Sequence, residues 1–407
     1  LVNDYARGGG AEVVFREEAR LLAEAGHDVA CFTGDDVGGR RTPWTYVTNA
    51  RAVRRLDRLV RTFRPDVLHF HNVDHVLSPA VVAVGADVPD LRRILTAHDF
   101  HLVCPDSGGR RFPRTGPPEI VEPERLRDPH WRRAQRWDPR SPLHDRLKAW
   151  QHERHYGRAG RDRRRSLDLV LCPGETAAER LRRGGLTVPV RVVPNPFDPA
   201  SIAEAAGVAA ETWPGEASAP GSTPGSDRAT HELRVLFLGR LEPEKGLAEL
   251  LAAWPADGPR LLVLGDGSER ARCERRVHEH GLVDRVRLAG PVSRPIALAT
   301  AARADVLVMA SRWPEVAPMV LLESLALGTP VVGPDVGAVR DVVRETGAGV
   351  IADVEAPAAL LPALRAAAEL APNAVRPPAA AFLEARSPAR HLAALEAAYR
   401  GDDGPEH

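Results

Sequence analysis

The sequence predicts an α/β fold made of two Rossmann-like domains, and three observations carry that expectation. Short runs rich in Val, Leu and Ile alternate with helical stretches along the whole chain. Continuous apolar runs of this kind suit parallel strands covered on both faces. The alternation comes in two series separated by a Gly-, Ser-, Pro- and Ala-rich stretch, as two doubly wound domains would require. The length of 407 residues, with 43% hydrophobic content, also exceeds what one ordinary core accommodates.

In chain order, "LVND" reads as the first strand. A glycine-rich turn and a helix near Ala11 to Ala25 follow. "DVACFT", "DVLHFH", "RRILTAH", "LDLVLCP" and "VRVVPN" complete the first series, which places the first domain over residues 1–194. The stretch "ETWPGEASAPGSTPGSDRATHE" has linker composition, so a flexible surface insertion is expected over 205–231. The second domain, 195–387, then runs through "LRVLFLG", "RLLVLGDG", "DRVRLAG", "ADVLVMA", "TPVVG" and "GAGVIA". A last helix, Pro388 to Tyr399, has apolar spacing that asks for a packing surface. Leu1 falls on what reads as the second half of a strand, so residues are expected upstream of it.

Composition narrows the classes. Formal net charge is zero, which gives no general attraction to nucleic acid, and no nucleic-acid partner is expected. Arginines concentrate in 110–165, in "HWRRAQRW" and "RAGRDRRRS". That segment reads either as a solvated surface or as a patch facing an acidic lipid or an acceptor. Cys31, Cys104, Cys172 and Cys273 form no C-x-x-C pair and read as reduced, structural thiols. No apolar run approaches the roughly 18 residues of a membrane span, and no signal-peptide pattern is present. The expected location is cytoplasmic, with the 110–165 segment as the candidate for peripheral membrane contact. Lys148 and Lys245 are the only lysines in an arginine-rich chain.

Chemistry concentrates first in "SRWPEVAPMVLLESLALGTPVVG", Ser311 to Gly333. A strand leads into a loop, and a helix is expected from about Pro318, since proline suits a first helical turn. The amides of Met319 and Val320 then lie free at a helix N-terminus, which attracts anions. Glu323 lies roughly 7.5 Å further along the axis at about 1.5 Å per residue, within reach of a ribose attached to a diphosphate bound there. Glu315 stays on the loop, so the two acids would bracket a nucleoside diphosphate. A capping acid followed by a solvated helix acid satisfies the same spacing.

In "FLGRLEPEKG", Arg240 and Lys245 flank a short loop after a strand, a placement suited to a diphosphate leaving group. A solvated helix start is the alternative. "DYARGGGAE" matches G-x-G-x-x-G only partly and serves better as a loop letting backbone approach a phosphate or sugar. "LTAHDFHLVCP" puts His98 and Asp99 at a strand end, where a histidine can bond a sugar hydroxyl or simply satisfy backbone. "HFHNVDH" offers His69, His71 and His75. H-x-H invites a metal reading, but a polar strand end explains it more simply, and no metal is assigned.

Taken together, "GRLEPEKG", the E-x(7)-E of Glu315 and Glu323, "ESLALGTPVV", "GGGAE" and "TAHDFHLVCP" resemble the retaining, nucleotide-sugar-dependent glycosyltransferases of family four, over nearly the whole chain and in order. The resemblance implies the GT-B fold, two Rossmann-like domains with parallel sheets facing a central cleft, and a final helix (388–399) that returns to the N-terminal, acceptor-side domain. It implies Arg240 and Lys245 on the diphosphate, Glu323 on the ribose and Glu315 on the transferred sugar. It further implies Met319 and Val320 amides on the sugar and distal phosphate, and His98 on the sugar. Gly9 and Gly10 would close over phosphate and acceptor, with Val292 backbone at the base. No cofactor and no metal are implied. "VAP" replaces the Gly-Phe-Gly that many relatives carry after the first glutamate, which leaves the sugar open.

The expected reaction is retaining transfer of a hexose-type sugar from a nucleotide diphosphate, UDP favoured, to a small-molecule, glycolipid or polysaccharide acceptor. Arginine- and alanine-rich usage fits a GC-rich bacterial genome, and natural-product or cell-envelope biosynthesis with it. A sugar-nucleotide epimerase of the same fold and a non-catalytic nucleotide-binding partner protein are the alternatives. Trp131, Trp137, Trp150 and Tyr156 are the aromatics expected near the acceptor.

Overall fold

The computed structural model describes residues 1–5, 10–38, 42–115, 118–139, 141–156, 167–214, 232–370 and 372–402. The chain divides into two compact units, Leu1–Pro196 together with the terminal segment from Pro388, and Phe197–Ser387.

The first unit holds strands β1 (Val2–Asn3), β2 (Phe32–Thr33), β3 (Val67–Phe70) and β4 (Arg92–Thr96). A short antiparallel pair follows, β5 (Arg110–Arg111) with β6 (Glu119–Ile120), and then β7 (Leu169–Cys172) and β8 (Val190–Val192). Its main sheet is parallel in the order β2-β1-β3-β4-β7-β8. The second unit holds β9 (Arg234–Leu238), β10 (Arg260–Leu264), β11 (Val286–Gly290), β12 (Val306–Val308), β13 (Val331–Gly333) and β14 (Gly349–Ile351). They form a parallel sheet in the order β11-β10-β9-β12-β13-β14.

The second sheet shows why its strands read as unbroken apolar runs. Val235, Phe237, Leu261, Val263 and Val306 enter one core. Leu236, Leu262, Leu264 and Leu307 point the other way into a second. Successive side chains alternate between faces, so a sheet buried on both sides needs every position apolar. β12 ends at Val308, although the Met309 N–H still donates to the Val332 carbonyl (2.8 Å) before the chain enters the loop.

The last helix, Pro388–Arg400, belongs to the first unit. Leu395 and Ala398 pack with Leu22, Ile94, Leu169, Leu171 and Val193. Arg92 Nε donates to the Ala398 carbonyl (2.8 Å).

Two expectations change. The stretch read as a flexible insertion holds a core residue, Trp213, which is only 1% exposed. Its Nε1 donates to the Val235 carbonyl (2.9 Å), and Arg234 and Arg303 lie over its ring. A large indole between linker-like residues still buries itself when its N–H finds an acceptor. Residues 215–231 of the same stretch, and the arginines of 157–166, lie outside the described residues. Of the aromatics assigned to an acceptor, Trp137 and Tyr156 are core. The Tyr156 hydroxyl donates to Asp74 Oδ1 (2.8 Å) and Trp137 Nε1 donates to the Arg132 carbonyl (3.0 Å). Trp150 is exposed and meets Trp44 edge-on. Lys148 is also structural: its ammonium bonds Asp106 (3.0 Å), which Arg110 holds from the other side.

Trp213→Ala should destabilise the second unit by about 3–5 kcal/mol, the range for deleting a buried indole, read as a shift in its urea midpoint. A change within about 0.5 kcal/mol, as at an exposed site, would restore the flexible-insertion reading.

Candidate functional site

In an open parallel sheet, ligands bind where the strand order reverses, beyond the carboxyl ends of the two strands that flank the reversal. In the second unit those strands are β9 and β12, paired side by side. The loop after β9 carries Arg240 and Lys245, and the loop after β12 carries Glu315. Residues adjacent in space but about 70 apart in sequence thus converge because of topology.

The convergence is direct. Lys245 Nζ lies 2.6 Å from Glu315 Oε2, a charge-assisted bond between side chains that are 17% and 9% exposed. The Ser311 hydroxyl donates to the other oxygen, Glu315 Oε1. Backbone joins the same two loops, the Arg312 N–H donating to the Glu244 carbonyl (2.8 Å), and the Glu315 carbonyl accepts from the Ala338 N–H (3.0 Å) in the helix that follows β13. Gly246 makes the approach possible. Its φ is +68°, and a Cβ there would stand 2.1 Å from the Ala310 carbonyl oxygen. Arg240 is different. Its side chain is 63% exposed, with a 3.3 Å contact to Glu244, so its guanidinium is available.

The helix after this loop runs Met319–Ala326 with Pro318 as its cap. The first turn closes from Leu321 N–H to the Pro318 carbonyl (3.1 Å), which leaves the amides of Met319 and Val320 ahead of it. Glu323 sits in the second turn, nearly buried. Burial raises its carboxyl above the ordinary range, and Arg294 opposes that rise. Arg294 donates twice to Oε1, at 3.0 and 2.7 Å, which leaves Oε2 without a partner among the described residues. Val292 lies two residues before Arg294, half-buried against the core between β11 and the next helix. Arg294 escaped the sequence reading. It is 29 positions from Glu323 and shares no motif with it.

The first unit gathers its polar residues at the carboxyl ends of β1, β3 and β4. Asp4 accepts the N–H groups of His75, Val76 and Leu77 at 2.7–2.9 Å and so shapes the loop after β3. His98 Nε2 lies 2.9 Å from His71 Nδ1, with the two rings stacked. Gly10 opens the first helix, Gly10–Glu24, and is exposed; Gly9 lies outside the described residues. His69 and His71 share a strand face as their spacing requires, and they meet Glu18, a buried acid the sequence reading did not single out. Burial alone would raise the Glu18 carboxyl; His71, His391 and His69 instead hold it well below the usual carboxylate range. Burial, with His71 alongside, lowers both His69 and His98, the latter to about 3. Nearby, His101 lies 3.3 Å from Asp99 and 3.5 Å from Asp74. Burial opposes its charge, but the two carboxylates outweigh that and raise it to about 9. Glu18, His69 and His71 each offer a ligand atom within 4.8 Å of the others, as do Asp74, Asp99 and His101, so a cation could be accommodated in either place.

Comparison with known proteins matches each half of the chain to a family model. Residues 8–201 match Glycosyltransferase Family 4, and residues 224–380 match Glycosyl transferases group 1. Among curated proteins, the phosphatidyl-myo-inositol mannosyltransferase of Mycobacterium leprae is 38% identical over 136 residues, covering 32% of this chain and 36% of the relative. The glycogen synthase of Mycobacterium tuberculosis is 29% identical over 191 residues, 46% of this chain and 42% of the relative. The chain thus spans 36–42% of the length of these two curated relatives. Among solved structures, sucrose-phosphate synthase from Thermosynechococcus elongatus superposes with a TM-score of 0.65 at 18% identity, covering 97% of this chain and 94% of that one. These likenesses to structure establish the two-sheet architecture.

The histidines set opposed pH limits on the first unit. His69 and His98 are held neutral in the fold, so the unfolded chain takes up their protons first as pH falls. The stability they contribute is full above about 6.5 and is lost toward the folded value of about 3 for His98. His101 works the other way. Its contribution is full below 6.5 and is lost as pH rises to about 9. Urea midpoints measured across this range should fall on both sides, and His101→Gln should flatten the alkaline limb. An alkaline limb unchanged in that variant would remove His101 from the account.

Proposed function

We propose, from the premise that this chain belongs to the family-4-type glycosyltransferases of the GT-B fold, that its second unit binds a nucleoside diphosphate sugar and that the protein transfers the sugar to a hydroxyl acceptor. The observation that carries this reading is the convergence of Arg240, Lys245, Glu315 and the Met319 helix N-terminus at the β9/β12 reversal.

Each group has a part. The Met319 and Val320 amides and the helix dipole receive phosphate oxygens. Arg240 and Lys245 neutralise the diphosphate, the first with a fork, the second as a point charge. Glu323 accepts ribose hydroxyls through Oε2, which has no partner among the described residues, and is held in place by Arg294 on Oε1. Glu315 contacts the transferred sugar and, through its 2.6 Å contact, keeps Lys245 at the phosphate end. Val292 backbone meets the base. His98 and the glycines Gly9 and Gly10 act from the first unit, His98 on a sugar hydroxyl. UDP is the favoured nucleotide; a structure of Anabaena HepE with UDP, 15% identical and with a TM-score of 0.59, shows the fold in company with that diphosphate.

The reaction proposed retains configuration. The acceptor oxygen bonds to the anomeric carbon on the face from which the diphosphate departs, the carbon–oxygen bond to phosphate breaks, and the acceptor's proton passes to the departing phosphate oxygen. Charge develops on that oxygen in the transition state, where Arg240 and Lys245 act on it without a metal. The acceptor is a small hydroxylated molecule, glycolipid or polysaccharide, with peripheral membrane contact through 110–165 as the route to a lipid.

Thermal shift with UDP, GDP, dTDP, ADP and NAD tests the ligand class. A diphosphate at 100 times its dissociation constant adds about 2.7 kcal/mol, and Glu323→Ala should abolish the shift. A shift with NAD alone would overturn the reading. With the donor known, Arg240→Ala and Lys245→Ala should each lower kcat by about 100-fold or more. Near-full turnover in either variant, or turnover of donor into an epimer with no acceptor present, would reject the assigned mechanism.

A further inference from the structure

The buried polar cluster of the first unit constrains where its protons sit. His391 Nδ1 lies 2.8 Å from the Pro194 carbonyl oxygen, and its Nε2 lies 3.2 Å from Glu18 Oε1. Nδ1 therefore carries a proton; Nε2 makes no aligned hydrogen bond, but a buried carboxylate oxygen at 3.2 Å favours a proton there as well, which makes the ring doubly protonated. Its charge balances that of Glu18.

The other carboxylate oxygen, Glu18 Oε2, lies 3.2 Å from His71 Nε2. Both atoms are shut off from water, and neither makes an aligned hydrogen bond, with the other or with anything else in the structure. Two lone pairs facing one another there would repel, so the proton sits on His71 Nε2. A second buried cation at His71 would have no counter-charge left, because Glu18 is already matched by His391. His71 Nδ1 is therefore bare and accepts from His98 Nε2–H at 2.9 Å. That leaves His98 Nδ1 bare. His98 is half-buried, and Nε2 makes its one hydrogen bond among the described residues. His69 completes its own contacts with the Tyr399 hydroxyl at Nδ1 (2.8 Å) and Thr96 Oγ1 at Nε2 (2.7 Å), and a metal ion between Glu18 and His69 Nδ1 would have to displace the Tyr399 hydroxyl.

We propose that Glu18 is a positioning residue: acting through His71, it fixes His98 in the Nε2–H tautomer, so that His98 offers a ligand hydroxyl an accepting nitrogen at Nδ1. The inference rests on the reading of His98 as a sugar contact and narrows it. The group recognised must donate a hydrogen, as a hydroxyl does and an ether or carbonyl oxygen does not. His391 supplies the charge that makes the arrangement stable, so the last helix takes part in it.

The test is the tautomer state of the histidines in the whole protein labelled with nitrogen-15 in histidine, read from proton–nitrogen correlations through two and three bonds, with His98→Gln to assign the His98 signals. In the wild type, His71 and His98 should each carry their proton on Nε2. Glu18→Leu should turn His98 into a mixture of tautomers, and Glu18→Gln, whose amide oxygen still accepts from His71, should restore the single form. A His98 proton on Nδ1 in the wild type, or a doubly protonated His71, overturns the proposal without any variant having to fold. So does an unchanged tautomer in a folded Glu18→Leu, or one equivalent of zinc bound by the wild type and lost from that variant. None of these readings uses a nucleotide sugar, so failure of the transferase reading is registered separately, by the ligand and turnover assays.

Discussion

A parallel sheet whose first strand lies inside it must grow outward in one direction and then start again in the other. Every crossover keeps the same hand. The helices therefore change faces at the restart, and the loops on either side diverge to leave a crevice. In the second unit the restart falls between β9 and β12. The placement of Arg240, Lys245, Glu315 and the Met319 helix follows from that single constraint. Each lies in the first loop or turn after one of the two strands. The first unit restarts between β1 and β3, and the segments after these strands carry Asp4 and His71 to His75.

Much of this was legible in the sequence, for a physical reason. Strands buried on both faces are written as continuous apolar runs, and a proline before an apolar helix marks its start, so both sheets and the Met319 helix could be located. The Lys245 and Glu315 loops could be found because each is a local signal at a strand end. What could not be read was long-range pairing. Arg294 reaches Glu323 across 29 residues, and His391 reaches Glu18 across 373, with no local pattern linking either pair. Trp213 misled in the opposite sense. Its neighbours have linker composition, and composition does not report that one indole can anchor a segment to the core.

Rarity of lysine proved half informative. Of the two, Lys245 stands at the strand reversal beside Glu315, whereas Lys148 is held by Asp106 inside the first unit. Both are ion-paired and only 17% and 16% exposed. The difference lies in the surroundings. Asp106 also holds the Arg110 side chain and the amides of Gly108 and Arg110, which makes a closed structural knot. Lys245 has a neighbouring cation in Arg240, which is 63% exposed and only loosely held by Glu244 at 3.3 Å, and a helix N-terminus nearby, so the loops offer a dianionic ligand donors beyond the Lys245–Glu315 pair.

The buried Glu18 needs a reason, since an ionised carboxylate in a core is unfavourable unless paired and bonded. An apolar side chain at that position would pack against the sheet with no charge to compensate. The same site would then leave His71 free to hold its proton on either nitrogen, and His98 with it. A carboxylate matched by one imidazolium from the last helix removes that freedom: the charge stays within the Glu18–His391 pair, and only hydrogen-bond direction passes along to the strand end. Removing His391 would therefore not merely weaken the seat of the terminal helix. It would transfer the demand for a counter-charge to His71, whose protonation reverses the direction of its bond to His98 and turns that ring from acceptor to donor.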